Sequence, residues 1–177
     1  MRIIGGEWRS RLIEFPDGEG LRPTPDRVRE TLFNWLGQDL TGRRVLDLFA
    51  GSGVLGFEAL SRGATAAVMI DRSRDAVRLM KANAATLGAD RAEMLQCDAL
   101  EFLNRPRHLT FDVIFVDPPY ASGLAESVLG SLAPHLAPDG VVYAESAAPL
   151  APDGWTVLKS GKAGAVCYQL LGRKSDD

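Results

Sequence analysis

Two acidic residues, each set at the mouth of a distinctive turn, carry most of the chemistry this chain could perform. In Val45-Leu46-Asp47-Leu48-Phe49-Ala50-Gly51-Ser52-Gly53-Val54-Leu55-Gly56 an apolar run enters a glycine turn and then a helical pattern. Gly51, Gly53 and Gly56 satisfy G-x-G-x-x-G, and Asp71 follows Gly51 by 20 positions, the spacing at which a strand-turn-helix unit places a carboxylate on a ribose. The glycines alone do not separate NAD from another adenosine-bearing cofactor. Asp47 helps to do so, because a carboxylate just below the turn repels a pyrophosphate and attracts the ammonium of a methionine-type tail. The expected ligand is S-adenosylmethionine, its carboxylate on backbone N–H groups around Gly51 to Gly53 and on the positive end of the following helix. Asp71 would accept the ribose hydroxyls. Asp98 would accept from the adenine amino group while the Ala99 N–H meets a ring nitrogen. Any one strand-end aspartate could equally be a helix cap; three in succession beside one glycine turn favour a shared crevice.

The second turn, Asp117-Pro118-Pro119-Tyr120, ends the apolar run from Phe111. Two prolines fix φ and remove two backbone donors, so the turn presents the Asp117 carboxylate and the Pro118 carbonyl as acceptors. Such acceptors suit an exocyclic amine, whose lone pair is delocalised into its ring until its hydrogens are held out of conjugation. Positive charge develops on that nitrogen as it attacks a methyl sulfonium, and fixed acceptors stabilise it. Tyr120 offers a ring face on which a base can stack. The competing reading is a plain strand followed by a proline-rich turn.

These turns must be held by a scaffold, and the pattern around them supplies one. From Arg44 onward β-rich apolar runs alternate with helical patterns: Arg44 to Phe49, Val54 to Ser61, Ala66 to Asp71, Ser73 to Leu87, Ala92 to Cys97, Leu100 to Leu103, Phe111 to Asp117, Leu124 to Leu136 and Gly140 to Glu145. Trp155 to Ser160 and Ala165 to Leu171 read as strands joined by a hairpin over 160–164. The alternation predicts an α/β fold, a mostly parallel sheet covered on both faces with an antiparallel pair at its end. Ahead of it, Thr24 is placed to cap a helix starting at Pro25, with Val28, Leu32, Trp35 and Leu36 as its apolar stripe and Gly37 as its stop. Arg27 and Arg29 fall off that stripe. Arg2 to Phe15 reads as two short strands around Gly5-Gly6 or a later turn.

The chain has 177 residues, 46% of them hydrophobic, with 20 Lys and Arg against 23 Asp and Glu, enough to bury one large core without disulfide or metal. Cys97 and Cys167 are too few for a disulfide framework, which favours a reducing compartment. No apolar run approaches a membrane span and the start lacks the h-region of a signal peptide, so the expected location is the cytoplasm. The net charge of -3 hides an asymmetry, since residues 1–44 hold 8 arginines against 7 acids. Phosphate binding needs local rather than total positive charge; the alternative is a solvated charged face. His108 and His135 have no partner at metal spacing and read as surface residues, and no metal is expected. Cys97 reads as a small core residue, Trp155 and Tyr168 as core packing, and Trp8 as either packing or an RNA-stacking ring.

The Asp47-to-Gly53 run and the Asp117-to-Tyr120 turn resemble the cofactor loop and amino-group motif of class I N-methyltransferases. Arg2-Ile3-Ile4-Gly5-Gly6-Glu7-Trp8-Arg9, with Leu21-Arg22-Pro23-Thr24-Pro25-Asp26-Arg27-Val28-Arg29-Glu30-Thr31-Leu32-Phe33-Asn34-Trp35-Leu36, resembles more specifically the bacterial RsmD family. The resemblance covers essentially the whole chain, and the N-terminal blocks are its most specific part. It implies a Rossmann-like class I methyltransferase fold with a seven-stranded sheet over 41–177, and a hairpin and helix extension over 1–40 that contacts RNA. It implies methyl transfer from S-adenosylmethionine to N2 of one guanine, nucleotide 966, of 16S ribosomal RNA in the small subunit or its assembly intermediate. Asp47, Phe49, Ala50, Gly51, Ser52, Gly53, Asp71, Arg72, Asp98 and Ala99 would then hold the cofactor. Asp117, Pro118, Pro119 and Tyr120 would hold the guanine. Arg22 and Thr24 would border the crevice, and Arg2, Arg9 and Arg11 would grip phosphates. The competing activities are transfer to adenine N6 or a protein glutamine, an NAD-dependent oxidoreductase, and a noncatalytic RNA-binding module.

Overall fold

The structure, a computed structural model, describes residues 1–15, 24–106, 109–119 and 123–175. Its elements are α1 (Asp26–Trp35), β1 (Arg44–Asp47), α2 (Val54–Ser61), β2 (Ala66–Asp71), α3 (Arg74–Leu87), β3 (Ala92–Gln96), α4 (Ala99–Leu103), β4 (Phe111–Val116), α5 (Leu124–Leu129), β5 (Leu136–Ser146), β6 (Trp155–Ala163) and β7 (Val166–Arg173). The seven strands form one sheet in the order β3-β2-β1-β4-β5-β7-β6. β1 to β5 run parallel, and β7 lies antiparallel between β5 and β6. This is the α/β sheet with an antiparallel end pair that the alternating pattern predicts.

Because side chains alternate across a strand, the sheet has two differently covered faces. Val45, Met69, Val113, Phe115 and Tyr143 join α1, α2, α3 and the N-terminal arm in one core. Leu46, Ile70, Ile114, Val116, Val142 and Ala144 join α4 and α5 in the other. Over the first face Phe33 of α1 meets Phe115 at 6.2 Å and Trp35 stacks on Tyr168 of β7 at 5.3 Å, so α1 covers the β4-β5-β7 half.

Several boundaries differ from the sequence reading for local physical reasons. Pro25 rather than Thr24 is the N-cap of α1, with no side-chain cap bond; Asp26 in the first turn receives the Arg29 guanidinium at 2.6 Å instead. The helix expected over Leu124 to Leu136 stops at Leu129, and a short 3₁₀ turn over Ala133–His135 leads straight into β5. Pro134, which cannot continue an α-helix, explains the break. The hairpin turn is the pair Gly164-Ala165 rather than 160–164, with Gly164 at φ 60°, the backbone sign a two-residue turn requires. His135 is buried, not a surface residue: its Nε2 lies 2.8 Å from the Leu103 carbonyl and its ring packs near Phe102. His108 lies outside the described residues.

The opening segment forms a single bridge, Arg2 to Leu12, around a turn at Glu7 to Ser10, instead of two strands. What holds it is one buried carboxylate. Glu58 of α2, 0% exposed, accepts the Ile4 N–H at 2.8 Å and the Gly5 N–H at 3.0 Å. Arg29, expected off the apolar stripe, is also 0% exposed; its Nη1 lies 3.3 Å from Glu58 and donates to the Arg2 carbonyl at 2.8 Å. Arg62 adds a second cation to Glu58 at 3.1 Å. Ser61 Oγ accepts from the Trp8 N–H at 2.9 Å and donates to the Gly5 carbonyl at 2.6 Å. At Gly6, φ 79°, a Cβ would overlap the Ser61 carbonyl, so only glycine allows this approach. Trp8 is buried in the same core, which makes packing its role.

Removing one partner of a buried ion pair costs about 3 to 5 kcal/mol, because the remaining charge and donors stay buried. Glu58→Ala should therefore lower the unfolding free energy by roughly that amount in urea denaturation, and limited proteolysis should then cut within the first 15 residues. A loss below about 1 kcal/mol, the range of an exposed pair, would show that the arm is held elsewhere.

Candidate active site

The register of the sheet assembles the site. Asp47 at the end of β1 is level with Met69 of β2 and Phe115 of β4, so Asp71 and Asp117 each lie two residues further along their strands. Val116 is level with Ala144, which sets Asp117 beside Glu145. Asp47, Asp71, Asp117 and Glu145 share strand parity with Met69, Phe115 and Tyr143 and therefore point to the face carrying α1, α2 and α3.

Asp47 is buried and accepts the Phe49 N–H at 3.2 Å. Burial pushes its carboxyl up to about 7, partly offset by that hydrogen bond and reinforced by the charges of Asp71 and Glu145. Asp117, half-buried at the end of β4, is raised well above the ordinary carboxyl range by desolvation, then by the charge of Glu145 and a side-chain hydrogen bond with it, and by Asp47. Tyr143 Oη donates to Glu145 Oε1 at 2.6 Å, and burial, with Glu145 beside it, keeps the hydroxyl protonated. Beyond Asp117, a cavity of about 240 Å³ opens at the carboxyl edge, lined by Pro118, Pro119, Glu145, Ser146, Pro149 and Leu150 among others.

The glycine turn is fixed from both sides. Asp71 Oδ2 accepts the Gly51 N–H at 3.0 Å and Oδ1 the Ser73 N–H at 2.9 Å, while the Gly53 N–H closes onto the Ala50 carbonyl at 2.8 Å. Two of the N–H groups expected to face a ligand carboxylate are thus spent within the turn. The first turn of α2, which has no side-chain cap, keeps its own. Phe49 is half-buried, Ala50 and Ser52 are buried, and a Cβ on Gly56 would overlap Met69 Sδ, which explains the third glycine as close helix-to-strand packing. Asp98 is exposed and caps α4, accepting the Leu100 N–H at 3.1 Å and the Glu101 N–H at 3.3 Å, and Ala99 behind it is buried. Arg72 is exposed beside Asp71.

The remaining expected residues spread out. Thr24 is half-buried ahead of α1, whereas Arg22 and Tyr120 lie outside the described residues. Arg9 is exposed, Arg2 donates to the Ser10 carbonyl at 3.0 Å and Arg11 to the Thr86 carbonyl at 2.6 Å. Thr86 lies near the C-terminal end of α3, roughly 18 Å of helix from the acidic edge at 1.5 Å per residue, so Arg11 is tied to the end of α3 remote from the Asp117 turn. Among the described residues no group of three or more His, Cys, Asp or Glu side chains could hold a metal ion.

Three site residues escape the sequence reading. Glu145 ends an apolar strand just as Asp47, Asp71 and Asp117 do, so the same strand-end signal marks it. Tyr143, two residues earlier, shares its face. Asn83 is buried, and its carboxamide accepts the Glu14 N–H at 2.9 Å and donates to the Glu14 carbonyl at 3.0 Å and the Ser52 carbonyl at 3.1 Å. It ties the arm to the glycine turn, and a polar residue on a buried helix face is the only trace it leaves in the sequence.

The profile of the family described as conserved hypothetical protein 95 matches residues 1–172. The chain is 42% identical to the Escherichia coli K12 ribosomal RNA small subunit methyltransferase D, over 99% of this chain and 91% of that protein. It is 41% identical to the protein of the same name from Haemophilus influenzae, over 96% and 92%. The solved structure of the Escherichia coli protein yhhF superposes with a TM-score of 0.89 at 42% identity, covering 99% of each chain. With the acidic strand ends and the clasped arm lying on one continuous match, the chain belongs to this family, that of the ribosomal RNA small subunit methyltransferase D proteins.

Proposed function

We propose that this protein transfers a methyl group from S-adenosylmethionine to the exocyclic N2 of guanine 966 in 16S ribosomal RNA, within the small ribosomal subunit or an assembly intermediate, in the cytoplasm. The observation that carries the reading is the convergence of Asp47 and Asp117 on one face of one sheet edge, below a glycine turn and a proline corner. The methyltransferase relatives supply the reaction class and the RNA. Residues 41–177 carry the chemistry; residues 1–40 add the RNA contact, with Arg2, Arg9 and Arg11 on phosphates and Arg22 and Thr24 bordering the crevice.

The residues present fit the cofactor. A buried carboxyl pushed up to about 7 is relieved by the ammonium of a methionine tail, and the uncapped first turn of α2 suits its carboxylate. Asp71 and Asp98 retain acceptor capacity beyond their present bonds, since each carboxylate oxygen has two lone pairs. When bound, S-adenosylmethionine supplies an electrophilic methyl carbon on a sulfonium. Asp117 and the Pro118 carbonyl accept the two amine hydrogens and turn the N2 lone pair out of the ring, and Tyr120 stacks on the base. On gaining the methyl group, with the S–C electron pair kept by the cofactor's sulfur, N2 would shed one proton. Asp117, raised above the ordinary carboxyl range, would take it.

Labelled S-adenosylmethionine with undermodified small-subunit particles should give N2-methylguanosine at 966 on nucleoside analysis. N6-methyladenosine as sole product would replace the guanine reading. Asp117→Ala should lower kcat about 10²- to 10³-fold, the cost of losing one preorganised group in the transition state, with cofactor affinity retained.

Asp47 must be ionised to receive the ammonium, so calorimetric affinity for S-adenosylmethionine should fall as pH drops below about 7. Asp47→Asn should bind weakly and lose that dependence. In the protein without cofactor the sign is opposite for stability. A carboxyl raised from its usual 3.8 binds more protons folded than unfolded, so its contribution is fully present below about pH 4 and is lost as pH rises through about 7.

Arg9→Glu should weaken RNA binding and flatten its salt dependence by roughly one phosphate contact, leaving cofactor affinity unchanged. Unaltered RNA affinity would remove the arm from the interface.

A further inference from the structure

We infer that Glu145 reads the target base, accepting the ring N1–H of guanine beside the amine that Asp117 accepts, and so selects guanine over every other exocyclic amine. The inference rests on the N2-transfer reading above and deepens it.

Glu145 stands where a second base contact belongs. The β4-β5 register sets it beside Asp117 on the same face, and both line the cavity at the carboxyl edge together with Pro118 and Pro119. Its carboxylate is held rather than free: the buried Tyr143 hydroxyl donates to Oε1 at 2.6 Å. The two carboxyl groups stand side by side at the ends of β4 and β5, so the corner presents adjacent acceptors. Asp47 on β1 lies near Asp117, Tyr143 donates to Glu145, and Tyr168 on β7 is level with Glu145. None of them is a cation. A ligand that brings two adjacent N–H donors would satisfy both acceptors at once.

The Watson–Crick edges of the bases differ in that respect. Guanine presents N2–H next to N1–H, two donors side by side. Adenine presents N6–H next to an N1 lone pair, cytosine N4–H next to an N3 lone pair, and a glutamine amide N–H next to a carbonyl oxygen. Each of these alternatives would point a lone pair at the Glu145 carboxylate. A flipped or unpaired base is read along this edge, and a site built to pair a substrate N–H discriminates strongly against an analogue that lacks it, because its own buried group is left unmatched. Asp117 alone, which needs only an amine, would not discriminate. Tyr143 acts through Glu145 as a positioning residue.

The test uses the full chain and small-subunit particles whose 16S RNA carries either guanine or 2-aminopurine at position 966. 2-Aminopurine keeps the exocyclic amine and replaces N1–H with a lone pair. Methyl incorporation by the wild-type enzyme should favour guanine about 10- to 100-fold in kcat/KM, the range for one hydrogen bond to a charged group. In Glu145→Ala, activity on guanine should fall at least tenfold and the preference should shrink below about threefold. Glu145→Gln, which keeps shape and an acceptor oxygen, should retain an intermediate preference. Calorimetric affinity for S-adenosylmethionine should stay within about threefold of wild type, which separates base reading from collapse of the site. Equal use of both particles by the wild-type enzyme, or an unchanged preference in Glu145→Ala, would overturn the inference while leaving transfer to guanine intact. The wild-type comparison needs no variant to fold. Methylation of some other amine by the wild-type enzyme would instead remove the N2 reading, and this inference with it.

Discussion

Everything at the reactive edge follows from strand parity. Strands that run parallel end at the same side of a sheet, and residues an even number apart share a face. Once Asp47, Asp71, Asp117 and Glu145 occupy the last inward positions of adjacent strands, they have nowhere to go but toward one another. Water cannot fully separate them there, since Asp47 is buried and Asp117 half-buried. The fold therefore spends stability to hold acceptors together, and it recovers that stability only from a ligand rich in cations and N–H donors. A sulfonium cofactor with an ammonium tail and a base with hydrogens on its edge are ligands of that description.

The arm and α1 roof the face toward which the acids point. Ile3, Trp8 and Ile13 share a core with Leu32, Phe33 and the inward residues of the sheet. Their polar anchor is Glu58, which satisfies backbone and guanidinium donors together. A buried ion pair is weak evidence of stability in itself; here it fixes the path of a segment too short to fold independently. Asn83 extends the same logic to the glycine turn, so that backbone groups of the arm and of that turn share one carboxamide.

What could be read from the sequence was whatever is encoded by neighbours. The alternation of strands and helices, the glycine turn, the proline corner and the acid at each strand end all lie within short windows, and they predict the sheet and its chemical edge. Helical periodicity sets Arg29 off the apolar stripe because it recognises apolar residues alone, whereas this arginine is buried by a partner 29 positions away. His135 reads as a surface residue for a similar reason, since the carbonyl that receives it belongs to Leu103, 32 positions away. Asp98 shows the ambiguity of a strand-end aspartate, which caps α4 whatever else it contacts. The separation of Arg11 from the Asp117 turn is a matter of where α3 ends, which no local window contains.

The clasp around Glu58 also sets an order of events during synthesis. The arm's partners lie far downstream, 54 and 53 positions on for the Glu58 contacts and 69 for Asn83. A chain emerging from a translating ribosome at about 5 to 20 residues per second thus exposes the arginine-bearing arm for several seconds before the acid that will hold it has been made. The arm can reach these partners only after that much further chain has been made, and closing so long a loop carries an entropic cost. Until α2 and α3 have been made, Arg2, Arg9 and Arg11 remain on a nascent tail.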